Sequence, residues 1–125
     1  MKKELTCIVC PNGCQLEATL ENGGPEIQVT EITGNQCEKG LTWAEQELTN
    51  PVRTIISSVL VDGGDLPLVS VRTDAPVPLG AIFDVMKDIK ASKTKAPVAI
   101  GDILIKSPAG TSCNIIATKN IAPAP

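Results

Sequence analysis

Four cysteines in the first third of the chain have a spacing typical of a metal-binding or redox centre. Cys7, Cys10 and Cys14 fall within eight residues, in the stretch TCIVCPNGC, and Cys37 follows after a gap of 22 residues. A chain of 125 residues can bury a core without disulfide staples. Thiols clustered in this way therefore point to metal or redox chemistry.

The three-plus-one division of the cysteines favours a cubane [4Fe–4S] cluster. Such a cluster takes one thiolate per iron. A compact loop can therefore provide the ligands of three irons, and a distant cysteine can bind the fourth. Pro11 and Gly13 suit a loop that curls closely around a ligand. Structural zinc, usually held by two pairs of ligands, is the alternative, followed by disulfides and unconnected buried thiols. Cys113 stands alone in an Ile-rich segment and is predicted to be an inert buried thiol.

Composition narrows the classes of function. The net charge is −3, aromatic residues make up 2% of the chain and there is no histidine. A charge of this sign without aromatic stacking residues argues against nucleic-acid binding, and triads that need histidine are excluded. No Gly-rich phosphate-loop motif occurs. No apolar run approaches the ~20 residues of a membrane span, and MKKELTC lacks the apolar segment of a signal peptide, so we expect a cytoplasmic protein.

Hydrophobic periodicity predicts the elements that position these cysteines. Residues 15–21 alternate between apolar and polar side chains, and a turn at 22–25 joins them to a partner strand with a bulge near Glu31. The hairpin therefore begins just after the third cysteine and leads to the fourth. The further elements predicted are strands over 52–61, 66–73, 96–106 and 113–121, a short helix over 41–48 and a main helix over 75–91 with an apolar stripe at Leu79, Ile82, Phe83, Met86 and Ile89.

These elements predict an α+β fold with mostly antiparallel strands and one main helix. We expect two domains. Residues 1–48 would form a cysteine-cluster module with a β-hairpin, and residues 49–125 an α+β domain.

The cysteine segment resembles the N-terminal [4Fe–4S] domain of molybdopterin oxidoreductases such as formate dehydrogenases and periplasmic nitrate reductases. The resemblance covers roughly the first 53 residues and is carried by the cysteine spacing, the intervening hairpin and the segment NPVR. The matching residues are Cys7, Cys10, Cys14, Cys37, Lys39 and Gly40. Past about residue 55 no segment matches, and the domains that cradle the pterin have no counterpart. The resemblance thus implies an electron-carrying domain more than a catalyst.

The whole chain looks like a small uncharacterised family of stand-alone proteins from anaerobic bacteria. Its members are found near flavin-dependent oxidoreductases similar to the anaerobic glycerol-3-phosphate dehydrogenase. The resemblance implies cluster ligation by the four cysteines, a role for Lys39 in electron passage, and a flavoprotein oxidoreductase as partner. The alternatives are a zinc-stabilised structural adaptor of an oxidoreductase complex without redox activity, and a protein that carries a cluster transiently and hands it on. Whether the chain is itself an enzyme stays open.

Overall fold

The computed structural model of the chain describes residues 1–22, 24 and 26–125. These residues form ten β-strands and two α-helices, and strand pairing is antiparallel except between two strands, which confirms the predicted α+β class. They divide into two compact units, Met1–Pro51 and Val52–Pro125. The division into domains at residues 1–48 and 49–125 stays a prediction. Within this described part of the chain, no helix is both long and apolar enough to cross a bilayer.

The N-terminal unit is a three-stranded antiparallel sheet with one helix. Its elements are β1 (Lys2–Thr6), β2 (Gln15–Asn22), β3 (Ile27–Thr33) and α1 (Glu38–Thr49), with strand order β1-β2-β3. The alternation in β2 buries Leu16, Ala18 and Leu20, as predicted. The register between β2 and β3 shifts between Thr19 and Leu20, so the predicted bulge is present.

Two features of this unit differ from the predictions. Residues 2–6 form a strand that the sequence did not indicate, since four of its five side chains are exposed and its charges hide the strand pattern. Helix α1 begins at Glu38, three residues before the predicted start, and so follows Cys37 directly. The predicted turn at 22–25 includes Gly23 and Pro25, which lie outside the described residues.

The C-terminal unit contains a five-stranded and a two-stranded sheet. Its strands are β4 (Val52–Arg53), β5 (Ile56–Asp62), β6 (Leu68–Thr73), β7 (Val77–Pro78), β8 (Lys93–Lys95), β9 (Ile103–Lys106) and β10 (Asn114–Ala117), and its helix is α2 (Ile82–Ala91). The larger sheet has the order β8-β5-β6-β10-β9, and β4 pairs with β7. The predicted strand 52–61 is broken between Arg53 and Ile56. The carbonyl of Ile55 accepts from the Thr73 amide (3.0 Å), but its amide donates to the Thr73 hydroxyl (3.1 Å).

Helix α2 covers one face of the five-stranded sheet. Its Val85 and Ile89 are buried in a core with β-sheet residues such as Val69, Val71 and Ile115. The predicted stripe is wrong at Leu79 and Phe83, which are 44% and 80% exposed, and the helix starts at Ile82 instead of residue 75. Ile82, Met86 and Ile89 of the stripe pack in the core, together with Val85, which the stripe did not include.

Candidate metal centre

Three of the predicted ligands lie in the loop between β1 and β2. The backbone amide of Cys7 donates to the carbonyl of Cys14 (2.8 Å), which closes the loop at its base. Gly13 adopts a φ of +62° inside the loop, a conformation that glycine reaches without a steric penalty. Cys7 is buried, Cys14 is half-buried and Cys10 is exposed. The loop therefore holds two thiols near its base and one in solvent.

Cys37, the fourth predicted ligand, is the N-cap residue of α1. Its backbone is extended, and its side chain makes no capping hydrogen bond to the helix. The first amides of a helix have no partner within the helix and carry partial positive charge. The side chain of Cys37 is exposed beside them. The cysteine thus stands at a helix end that attracts anionic groups.

Gly40 connects the cysteine loop with this helix end. It is buried in the first turn of α1, and a β-carbon built on it would lie 3.6 Å from the sulfur of Cys7. The thiol of Cys7 therefore faces the turn that Cys37 begins. Because Gly40 has no side chain, the space over this turn stays unfilled.

A second glycine sets the path between β3 and α1. Gly34 has a φ of +91°, and a β-carbon on it would come within 2.1 Å of the carbonyl oxygen of Gln15. The chain therefore crosses the start of β2 at very close range. This crossing brings the segment that leads to Cys37 back to the base of the cysteine loop. Sequence reasoning missed Gly34, although its position between a strand and a cysteine is a usable signal.

A small apolar cluster includes the two cysteines at the base of the loop. Cys7, Leu16 and Ala44 are its buried members, and the partly buried residues packed against them are Leu5, Cys14, Ile32 and Trp43. All three strands and the helix of the N-terminal unit contribute to it. Two of the four cysteines are thus anchored in packed structure.

Lys39 occupies the second position of α1 and is exposed. It lines a concave surface along the helix with Glu38, Thr42, Trp43 and Gln46.

Cys113, by contrast, is buried in the core of the C-terminal unit, where its sulfur lies 3.2 Å from the Thr111 hydroxyl.

The donor set fits a thiolate-bound metal group in its chemistry. All five cysteines are free. Over residues 1–22, 24 and 26–125, no three Cys, Asp or Glu side chains are gathered closely enough to hold a metal ion. Cys10 and Cys37 are exposed, so rotation of their side chains would be needed to complete a ligand set. The space at Gly40, which is large enough for one methyl group, borders the sulfur of Cys7.

Comparison with known proteins places the chain in a family. Residues 38–119, more than half of the chain, match the family described as "Protein of unknown function (DUF1667)", and the chain belongs to it. The matched segment starts one residue after Cys37. An NMR structure of the Clostridium perfringens protein CPE0013 is similar, with a TM-score of 0.54 and 23% identity over 58% of this chain and 87% of that protein. That likeness concerns the fold alone. No curated protein matches the chain.

Proposed function

We propose that the chain is a small iron–sulfur electron-transfer protein or subunit that serves a flavin-dependent oxidoreductase. Cys7, Cys10, Cys14 and Cys37 would hold one [4Fe–4S] cluster. The cluster, when bound, supplies one-electron transfer, and the task of the protein is to hold it, shield it and present it to a partner.

The observation that carries the proposal is the missing side chain at Gly40. An alanine would fit there in ordinary contact with Cys7 and Asn35, and glycine in a helix costs about 0.5–1 kcal/mol relative to alanine. Packing and helix propensity therefore both favour a side chain at this position. A group bound next to the Cys7 thiol gives a physical reason for leaving the space free.

The position of the helix end supports an anionic group. The first turn of α1 carries amides without a side-chain cap, and such amides can donate to thiolate or sulfide sulfur. Hydrogen bonds of this kind raise the potential of an iron–sulfur cluster. Zinc would not need three thiolates from one tight loop, which is why we favour iron and sulfide.

The proposal of a flavoprotein partner rests on the resemblance of the chain to a family found near flavin-dependent oxidoreductases. The chain has no phosphate-binding motif for a flavin nucleotide, so we assign the flavin to the partner. Lys39 would raise the cluster potential through its charge. Replacing it with glutamine should lower the midpoint potential by a few tens of millivolts, on the order expected for one exposed charge. An unchanged potential would make Lys39 a solvated surface residue.

Anaerobic purification followed by metal and sulfide analysis tests the proposal. We expect about four iron and about four acid-labile sulfide per chain, with a broad visible absorbance that dithionite bleaches and an EPR signal in the reduced state.

Cysteine variants provide matched controls. Cys14→Ser should remove the absorbance, whereas Cys113→Ser, which changes the buried cysteine of the other unit, should retain it. One zinc per chain in colourless protein would support the structural adaptor instead. Iron that survives Cys14→Ser would show that the ligand set is wrong.

A further inference from the structure

The five-stranded sheet of the C-terminal unit has one face covered by α2 and one face left in solvent. Residues on the covered face, such as Val59, Val71 and Ile115, are buried. Their neighbours along each strand point the other way. We call the solvent side the outer sheet face. It consists of the outward residues Ile56, Ser58, Leu60, Asp62, Leu68, Ser70, Arg72, Lys93, Lys95, Ile103, Lys106, Ile116 and Thr118.

Apolar side chains on this face lie in two cross-strand rows, and Arg72 interrupts the first of them. Ile56 pairs with Arg72, Arg72 with Ile116, and Ile116 with Ile103, across four strands. A second row joins Leu60 to Leu68. Ile56 is 77% exposed, and Leu60, Leu68 and Ile103 are each about half exposed (52%, 46% and 50%). Four large apolar side chains exposed on one face of one sheet indicate an interaction surface more strongly than single scattered residues do.

Charge on the outer sheet face is mainly positive. Arg72 lies in the centre of the apolar rows, and Lys93 and Lys95 follow the edge strand β8. Lys106 adds a fourth cation on β9. The carboxylates on this side of the sheet are Asp62 and Asp74, the exposed residue that directly follows β6. The face is therefore basic although the whole chain carries a net charge of −3.

A polar row lies between the two apolar rows, and its chemistry helps to decide which kind of partner the face binds. The hydroxyl of Thr118 donates to the hydroxyl of Ser70 (2.7 Å), and Ser58 pairs with Ser70 across the sheet. Hydroxyl groups in the middle of a flat patch suit a protein interface, with its mixed polar and apolar surface, better than lipid. A second copy docked through the same face would bring four cations against four, which disfavours self-association.

We propose that the outer sheet face docks a partner protein whose surface presents apolar residues flanked by Asp and Glu. The face measures roughly 20 Å on each side, from strand spacing and rise. The corresponding area of about 400 Å² per partner is below the ~800 Å² of a standard stable complex, so the face suits a weak, transient encounter. The inference is independent of the cysteine centre, because it concerns residues of the C-terminal unit alone.

Selection from a random 12-residue peptide library on the immobilised full-length protein tests this directly. We expect the recovered peptides to be enriched in Asp and Glu next to Leu, Ile, Val or Phe. Binding of a synthesised peptide should weaken about tenfold in Arg72→Glu, fall likewise in Leu60→Ser, and decrease as salt rises. Lys93→Glu, on the edge strand, gives the same charge test should Arg72→Glu fail to fold.

Matched controls lie on α2, which packs on the other face of the sheet. Lys90→Glu and Phe83→Ser change an exposed cation and an exposed apolar residue there. Both should leave peptide affinity unchanged, and circular dichroism should show the same fold for every variant.

Three results would overturn the proposal. The first is recovery of peptides without acidic enrichment, or of peptides whose affinity for the variants Arg72→Glu and Lys93→Glu equals their affinity for the unchanged protein. The second is concentration-dependent dimerisation in sedimentation velocity that Leu60→Ser abolishes. The third is co-sedimentation with phosphatidylserine-containing vesicles that Arg72→Glu abolishes, which would assign the face to a membrane.

Discussion

Gly40 lies where a methyl group would touch both the sulfur of Cys7 and the side chain of Asn35. Glycines in such close contacts show which features of a site the spacing of residues in a sequence can and cannot predict. The cysteine pattern is visible in the sequence because the proposed chemistry would need thiols, and a residue type and its spacing can be read directly. The roles of Gly34 and Gly40 depend on which backbone and sulfur atoms approach them, and no local pattern contains that information.

Gly40→Ala should raise the stability of the metal-free protein and lower its iron content. The methyl group fits in ordinary contact and improves helix propensity, so the free energy of unfolding should rise by about 0.5 kcal/mol or more. The same methyl group fills the space beside Cys7, so iron per chain should fall to roughly half or less. Urea unfolding and iron analysis measure the two effects.

Thr42→Ala is the matched control for Gly40→Ala. It raises helix propensity at an exposed position of the same helix. Its iron content should equal that of the unchanged protein. Equal iron content in Gly40→Ala as well would remove the main support for a group bound at this turn.

Gly34→Ala should disrupt the N-terminal unit. The added β-carbon would overlap the Gln15 carbonyl, and that backbone oxygen cannot move without disturbing the start of β2. We expect a loss of at least about 3 kcal/mol in unfolding free energy. Gly13→Ala has the same sign of φ but no contact closer than 4.0 Å, so it should cost only about 1–2 kcal/mol. Similar losses for the two variants in urea unfolding would contradict this account.

At the scale of the element, helix α2 shows how a correctly predicted helix can differ from the prediction in its start and in single buried positions. The periodicity of residues 79–89 indicates a helix, and a helix is present. The pairing of Val77–Pro78 with β4 and the 3₁₀ turn Leu79–Ala81 delay its start. The buried side is consequently set by Val85 and Ile89. Such a shift arises from pairing between distant segments, which the local pattern does not reveal.

Ile89→Ala should therefore destabilise the C-terminal unit, and Phe83→Ala should not. Ile89 is 1% exposed in the core, and truncation of such a side chain costs about 3 kcal/mol. Phe83 is solvent-exposed, so its truncation should change the unfolding free energy by no more than about 0.5 kcal/mol. Urea unfolding followed by far-UV circular dichroism gives both values. A large loss at Phe83 would mean that this ring is covered in solution.

At the scale of the whole molecule, the two units differ in charge and in core size. Met1–Pro51 carries three lysines against eight glutamates, whereas the C-terminal unit carries eight cations against six aspartates. The core cluster around Cys7 has three buried members, and that of the C-terminal unit has thirteen. The charge difference can be counted from the sequence. The composition of the outer sheet face cannot be counted in this way, because it depends on the register of five strands.

Removal of the metal from anaerobically purified protein should loosen the N-terminal unit alone. Units of about 50 residues with small cores commonly depend on a bound metal for stability. After chelation, amide hydrogen exchange in residues 2–49 should accelerate about tenfold or more, and exchange in β5, β6 and β10 should stay unchanged. Equal protection before and after chelation would show that the apolar cluster is sufficient by itself.

Trp43 is the one tryptophan of the chain, and it packs in the same cluster as Cys7 and Cys14. Its fluorescence therefore originates next to the thiols. A coloured group bound there would accept the excitation energy of the indole and quench its emission, whereas colourless zinc would not. The protein thus contains its own optical reporter, and assembly or loss of the centre could be followed in real time without an added label.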